Sequence, residues 1–322
     1  IVNLKEDKKN KNFWISQKLE DAIGSQLEKK EQTIVFINRR GYSFFVQCKC
    51  CSYVFSCSSC SVSLTLHGYE KLICHYCGFN KILPQNCDSC KKDSKNFLKK
   101  GLGTQQVTDI LQALYPEAKI ARADVDSTVD RKKWAETIKN FEEGHIDTLV
   151  GVIWADVNLN FPVYNCAEIT LQQLIQVAGR AGRQSENSKV IIQTLINHKI
   201  YDFINEADYM KFYDFEIEKR KMVEYPPIIR LAEIELKNTD EQKIESDSEN
   251  LANFLNDIIE RENLPVTLLG PALPPVAMIK KTHARKIYLK CNNINILQKL
   301  YKIIDYKNYS SSIFFTPNPI SH

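Results

Sequence analysis

Apolar residues recur at helical spacing early in the chain. Leu19, Ile23 and Leu27 share one face of a segment running from Ser16, placed as an N-cap, to about Lys30. The next stretch, Thr33-Ile-Val-Phe-Ile37, is apolar without alternation, the pattern of a parallel strand covered on both faces. It runs into the polar loop Asn38-Arg39-Arg40-Gly41-Tyr42. Beyond a cysteine-rich stretch, Phe97-Leu98 leads through Gly101-Leu-Gly-Thr104 into a helix carrying Val107, Ile110, Leu111 and Leu114. Further elements follow in turn: a strand over 119–123, a helix over 129–142 with Trp134, Ile138 and Phe141 inward, a strand over 148–154, a helix over 167–179 and a strand over 190–195. Strands and helices in alternation predict a parallel α/β sheet.

The pattern then changes. Residues 200–222 read as mostly helical, and Pro226-Pro227 breaks them off. After that come a strand over 230–237, a helix over 247–261, a strand over 286–291, a helix over 294–305 and a strand over 311–316, an α+β arrangement. The helix at 247–261 carries Leu251, Phe254, Leu255, Ile258 and Ile259 as one stripe, which core packing explains in full.

A chain of 322 residues has room for two or three domains. Its net charge, 43 − 39 = +4, permits nucleic-acid binding without requiring it. The longest apolar run, Thr148 to Ala155, is far too short to span a bilayer, so no membrane association is expected. The opening Ile1-Val2-Asn3-Leu4 is neither a signal peptide nor an initiator methionine, and the chain is expected to start inside a longer protein.

Composition matters most at cysteine. Nine of the 11 cysteines lie between residues 48 and 90. Eight of these form four CxxC pairs: Cys48/Cys51, Cys57/Cys60, Cys74/Cys77 and Cys87/Cys90. CxxC spacing lets both thiolates of one turn reach one ion, and two such turns close a tetrahedral four-cysteine shell with no open position for catalysis. Eight ligands predict two structural zinc ions. Redox chemistry at CxxC is the competing reading. Nested pairing (Cys48/Cys51 with Cys87/Cys90, Cys57/Cys60 with Cys74/Cys77) and sequential pairing both satisfy the count; nesting gives a compact knob and is the pairing expected. The middle gap fits a hairpin from Leu64–His67 to Lys71–Ile73. Cys50, His67 and His75 are expected as bystanders, and Cys166 and Cys291 as structural residues. So few apolar residues between 45 and 95 mean that metal supplies the folding energy there. Lys91, Lys92, Lys95, Lys99 and Lys100 follow as a strip, either a solvated face or a phosphate-facing one.

A second motif lies at Gln176-Val-Ala-Gly-Arg180-Ala-Gly-Arg183, a QxxGRxGR string. Two arginines three apart lie on one side of a helical turn, and such a pair can stabilise charge on a transferring γ-phosphoryl. The plainer account is an arginine-rich helix end favoured by the macrodipole. Arg39 and Arg40 follow a strand, where α/β sheets place ligands. Gly103 and Thr104 open a helix whose amides can hold a phosphate. Lys280, Lys281, His283, Arg285 and Lys286 form a second basic group, which surface solubility also explains.

In order along the chain stand Thr33–Tyr42, the four CxxC pairs, Gly101–Thr104, Arg122-Ala-Asp124-Val-Asp126, Gln176–Arg183, Tyr225-Pro-Pro227, Leu269-Gly-Pro271 and Lys280-Lys281. This series resembles the C-terminal half of the primosomal protein N′ (PriA) family of replication-restart DNA helicases. The resemblance implies a RecA-like second helicase lobe with an inserted two-zinc module and a smaller α+β C-terminal domain. It divides the chain into residues 1–44 and 96–199 (lobe), 45–95 (zinc insertion), 200–226 (helical linker) and 227–322 (C-terminal domain). It implies an ATP-dependent superfamily 2 motor moving 3′ to 5′, which binds stalled or repaired forks and restarts replication by primosome assembly. Arg180, Arg183 and Gln176 would serve ATP with Mg²⁺ in the full-length protein. Arg39, Arg40, Gly103, Thr104, Lys280, Lys281 and Arg285 would contact forked or single-stranded DNA. The implied partners are primosome and single-strand-binding proteins, and the implied setting is a monomer in the bacterial cytoplasm at the nucleoid.

Two features depart from that pattern. Nothing here matches GxxxxGK[ST] or an acidic Walker B box, so this stretch alone is expected not to hydrolyse ATP. The family also places a Gly-Thr-Gln loop and a further strand before the position of Asp156, whereas here Thr148–Gly151 runs straight into Val152–Asp156. Parallel neighbours need a crossover of roughly a dozen residues. Either a strand is lost, or a segment is missing between Gly151 and Val152. The alternative function is a non-enzymatic zinc-containing DNA- or protein-binding factor on a degenerate motor lobe; a thiol redox protein is the third.

Overall fold

A computed structural model describes residues 1–6, 15–37, 45–67, 70–100, 104–123, 131–152, 159, 163–181, 190–194 and 196–319. Helix α1 (Gln17–Glu28) starts where the sequence places it. The Ser16 hydroxyl accepts the Leu19 amide at 3.2 Å, satisfying one of the amides that a helix start leaves open. Strand β2 (Thr33–Ile37) follows. The N-terminal β1 (Val2–Asn3) is only two residues long. Helix α2 (Thr104–Leu114), strand β8 (Ile120–Ala123), helix α3 (Arg131–Glu142) and strand β9 (Thr148–Val152) complete a parallel sheet in the order β2-β9-β8. Ile15, Ile23, Val35, Val107, Leu111 and Val150 form its core, with Leu19, Leu27 and Leu114 packed on them. The Tyr115 hydroxyl donates to the Glu20 carbonyl at 2.6 Å and ties α2 to α1.

Three expectations change here. Strand β2 stands at the edge of the described sheet, and Ile34 is 46% exposed while Val35 is buried, so the strand is not covered on both faces at Ile34. In α3, Trp134, Ile138 and Phe141 are half-buried rather than core residues. The strand at 190–195 shrinks to β10 (Gln193–Thr194), which pairs in parallel with β1 instead of joining the sheet. Strand β9 runs unbroken across Gly151 and Val152, which pair with Phe36 and Ile37.

Helix α4 (Cys166–Ala181) carries Gln176 to Ala181 of the arginine string, and α5 (Tyr209–Met222) packs near its start. The buried Arg220 of α5 bonds Glu216 at 3.1 Å, Glu168 of α4 at 2.9 Å and the Pro226 carbonyl at 3.2 Å, so every charge in this joint is paired.

The C-terminal part is a sheet of β11 (Arg230–Asn238), β12 (Val266–Ala272), β13 (Met278–Ile279), β14 (Thr282–Cys291) and β15 (Ser312–Pro317). Its order is β12-β14-β11-β15, with β13 also on β14, and every pairing is antiparallel. Helices α6 (Glu241–Arg261) and α7 (Ile294–Lys302) pack on it through Leu251, Leu255, Ile258, Ile259, Leu297 and Leu300. Helix α6 begins six residues before the sequence pattern suggests. The Asp240 carboxylate accepts the Gln242 and Lys243 amides, and the polar first turns bury only Ile244. Strand β12 escapes the pattern because a register shift between Leu269 and Ala272 interrupts its alternation.

No described helix is long and apolar enough to cross a membrane.

Candidate metal centre

The cysteine module grows from a two-strand stem. Strand β3 (Phe45–Cys48) pairs antiparallel with β7 (Phe97–Lys100), Phe45 opposite Lys100 and Cys48 opposite Phe97. Between them a short meander, β4 (Thr65–His67), β5 (Lys71–Ile73) and β6 (Asn80–Ile82), includes the expected hairpin. A small apolar core holds these pieces together: Val46, Phe55, Leu64, Leu66 and Leu72 are buried with Cys57, Cys60 and Cys74. Phe55 meets Tyr53 and Phe97 edge-on, each with ring centroids 5.2 Å apart.

All eight predicted ligands converge in two groups, Cys48/Cys51/Cys87/Cys90 and Cys57/Cys60/Cys74/Cys77, with the sulfurs of each within 4.8 Å of one another. The nested pairing is therefore the one adopted. Three of the sulfur pairs, Cys48–Cys90, Cys51–Cys87 and Cys57–Cys77, lie 3.6, 3.7 and 3.6 Å apart. A tetrahedron with metal–sulfur bonds of about 2.3 Å has edges of about 3.8 Å, whereas a disulfide needs about 2.05 Å. No cysteine is oxidised to another. The spacing fits zinc and excludes a disulfide framework. Cys50 is exposed and belongs to neither group. His67 and His75 face each other through their Nε2 atoms at 3.1 Å and are not ligands.

Each pair sits in a tight turn. The first cysteine's amide donates to the carbonyl five residues on: Cys48 to Tyr53, Cys57 to Val62, Cys74 to Phe79 and Cys87 to Lys92, at 2.8 to 2.9 Å. In three of the turns the residue after the second cysteine is left-handed: Ser52 at φ 59°, Gly78 at φ 78° and Lys91 at φ 60°. The amide of that residue donates back to the first cysteine's carbonyl at 2.9, 2.9 and 3.0 Å respectively.

Electrostatics divides the thiols. Burial raises Cys48, but the Cys51 and Cys50 amides outweigh it and hold the thiol down at about 6. The Phe79 amide, 3.4 Å from its sulfur, holds Cys77 at about 7. Burial pushes Cys57 up to about 12. Cys90 receives the Lys92 amide, which lowers it, yet burial and protons shared with Cys51 and Cys48 carry it to about 12. Each cluster thus contains one thiol ready to ionise and one that holds its proton. A divalent cation resolves that conflict by replacing protons with one shared charge.

The remaining predicted residues are described only in part. Gln176 is exposed on α4; Arg180 lies in the same helix, but its side chain is outside the described residues. Arg39, Arg40, Gly103 and Arg183 also lie outside the described residues, as does the side chain of Thr104. Lys280 and Lys281 are exposed at the turn between β13 and β14. Arg285 is a different case from its neighbours. It is buried on β14, and its guanidinium is committed to Glu245 of α6, so it is a packing residue rather than a free cation.

Comparison with known proteins agrees with this geometry. The model of the PriA DNA helicase Cys-rich region (CRR) domain matches residues 57–81. Proteins called replication restart protein PriA match most of the chain. The one from Bacillus subtilis is 34% identical over 94% of this chain and 40% of its own length. The Synechocystis protein is 34% identical over 90% of this chain and 37% of its own length. The Rickettsia conorii protein is 31% identical over 94% and 48%. The chain spans less than half the length of these relatives. Two nested four-thiol sites, a match to the family's own cysteine region and similarity along nearly all of the chain agree: it belongs to the PriA family.

Proposed function

We propose that the chain is the C-terminal half of an ATP-dependent 3′-to-5′ DNA helicase that binds stalled or repaired forks and restarts replication by primosome assembly. The observation that carries this reading is the pair of four-thiol sites on one antiparallel stem, placed in the chain between strand β2 and helix α2 of a parallel α/β unit, in a sequence that also carries the QxxGRxGR string. In this reading residues 1–44 and 96–199 form a RecA-like second motor lobe, 45–95 the zinc insertion, 200–226 a linker and 227–322 a C-terminal domain. Arg180, Arg183 and Gln176 act on ATP and its Mg²⁺ held by the other lobe of the full-length protein. Arg39, Arg40, Gly103, Thr104, Lys280 and Lys281 contact DNA phosphates; Arg285, already paired, does not. The partners are forked DNA, primosome proteins and single-strand-binding protein, and the protein works as a monomer in the bacterial cytoplasm.

A second reading keeps the fold and drops the motor. It is favoured by β9 passing unbroken through Gly151–Val152, which leaves no room for a crossover to another parallel strand. The full-length protein decides between them in an ATPase assay with forked DNA. The motor reading expects DNA-stimulated hydrolysis, reduced about a thousandfold by Arg180→Ala, as loss of an arginine finger does. It also expects none from residues 1–322 alone. A zinc-loaded full-length protein without stimulated hydrolysis leaves the binding-factor reading standing.

A further inference from the structure

Three of the four CxxC turns close on themselves, and the fourth does not. After Cys57/Cys60, the amide of Ser61 donates to the carbonyl of Met278, at 2.9 Å, rather than to Cys57. Met278 lies 217 residues away on β13 of the C-terminal sheet. Its own amide donates to the Ser61 hydroxyl at 2.9 Å. The Lys281 amide donates to the Ser59 carbonyl at 2.7 Å. The Lys280 amide points at the sulfur of Cys60 at 3.3 Å, as the Ser59 and Phe79 amides, at 3.4 Å, point at Cys57 and Cys77. The C-terminal hairpin therefore supplies the backbone donor and acceptor that the neighbouring turns find within themselves.

The donor turn is unusual in its own right. Ile279 pairs with Thr282, so Lys280 and Lys281 are the two central residues of a hairpin turn, at φ 51° and 61°. A turn with two left-handed residues favours Asn-Gly, and side chains such as lysine adopt it against a steric penalty. Strained backbone persists where its surroundings over-determine it. Here the surroundings are the inner cysteine turn: the same twist that strains both lysines aims both amides at it. A cleft of about 460 Å³ beside this contact is lined by Ser59, Cys77, Gly78, Phe79, Lys280 and Lys281, so the two units meet along one edge and open beside it.

We infer that the inner zinc site is a joint between the cysteine module and the C-terminal sheet: occupancy of Cys57/Cys60/Cys74/Cys77 and docking of the Met278–Lys281 hairpin form one linked equilibrium, in which the outer site takes no part. The inference rests on the two-zinc reading of the module. An amide donor to a metal-bound thiolate is charge-assisted and strengthens both partners. Linkage is reciprocal: a hairpin that tightens zinc binding is itself held by zinc to the same extent. The outer site, Cys48/Cys51/Cys87/Cys90, has no described hydrogen bond to the C-terminal sheet and sits beside the stem. The module is thus fixed at two points, its stem and its inner knuckle, and its orientation depends on the second.

The test uses the whole chain loaded with two zinc ions and challenged with a chromogenic chelator, while native mass spectrometry counts the ions retained. Ser61→Ala and Met278→Pro each remove hydrogen bonds of the joint without touching a ligand. The expected result is that one zinc leaves about tenfold faster in Met278→Pro and several-fold faster in Ser61→Ala, with Cys57 and Cys60 alkylated first and release of the other ion unchanged. The converse experiment reads amide hydrogen exchange at Lys280 and Lys281. It should accelerate in Cys60→Ser and stay protected in Cys90→Ser, a comparison that holds even if Met278→Pro perturbs folding. Equal acceleration of both ions, no acceleration of either, or equal exposure of the lysine amides in the two cysteine variants would overturn the joint. A wild-type chain that binds no zinc would overturn the two-zinc reading itself, a distinguishable failure.

Discussion

The C-terminal sheet and the cysteine module lie side by side and are built from different materials. In the former, 16 buried residues form one cluster between two helices and a five-stranded sheet. In the latter, a cluster of eight includes three cysteines, and the meander strands are three residues long. Burial of apolar area scales with size, so the first can stand on hydrophobic transfer alone. The second cannot, and metal–sulfur bonds must replace the missing core. The same chain therefore contains one unit whose core depends on metal and another whose core does not.

The sharpest way to break this contrast is to strip the metal. Chelation should unfold the module while the C-terminal sheet persists, since structural zinc contributes about 10–16 kcal/mol in small metal-dependent folds. Hydrogen exchange resolved by segment checks it: fast exchange over β4–β6 beside slow exchange over β11 and β14. Equal protection in both would erase the distinction.

The opposite perturbation is Leu255→Ala, at a fully buried site. It should destabilise the C-terminal sheet by about 2–5 kcal/mol, measured by urea unfolding, with zinc stoichiometry unchanged. Next comes pH. Zinc must displace the protons that thiols such as Cys57 and Cys90, both pushed up to about 12, still hold at neutrality. Acid restores those protons and so opposes binding. Displacement of two or more predicts an affinity loss of at least about a hundredfold per unit as pH falls from 7 to 6, by competition titration. The smallest effect belongs to Cys50→Ser, which should leave both ions in place by mass spectrometry, because Cys50 lies outside both groups. Loss of an ion would mean that Cys50 exchanges with a ligand.

How much of this is legible in the sequence follows from locality. CxxC places two thiolates on one turn, so all eight ligands can be read from spacing. Their pairing cannot, because it depends on β4, β5 and β6 folding the two inner pairs together. Residues such as Ser61 and Met278 carry no signal at all: nothing in either neighbourhood announces a contact across 217 positions. Arg285 misleads for a related reason. It stands in a basic run, but strand alternation turns it inward toward Glu245, and charge counting is blind to which face a residue takes. In the α/β part, periodicity locates α1, β2, α2, β8 and β9, yet a fully apolar strand does not reveal whether both its faces are covered, as Ile34 demonstrates.

The pairing of Phe45 with Lys100 has a consequence for the history of such a fold. Opposed residues of two antiparallel strands are about 5 Å apart, so the polypeptide departs and returns through nearly the same point. Everything between could be excised and the ends rejoined by a short turn, with the path of the surrounding sheet undisturbed. An architecture of this kind can acquire, exchange or discard a metal-bearing cassette in a single genetic event.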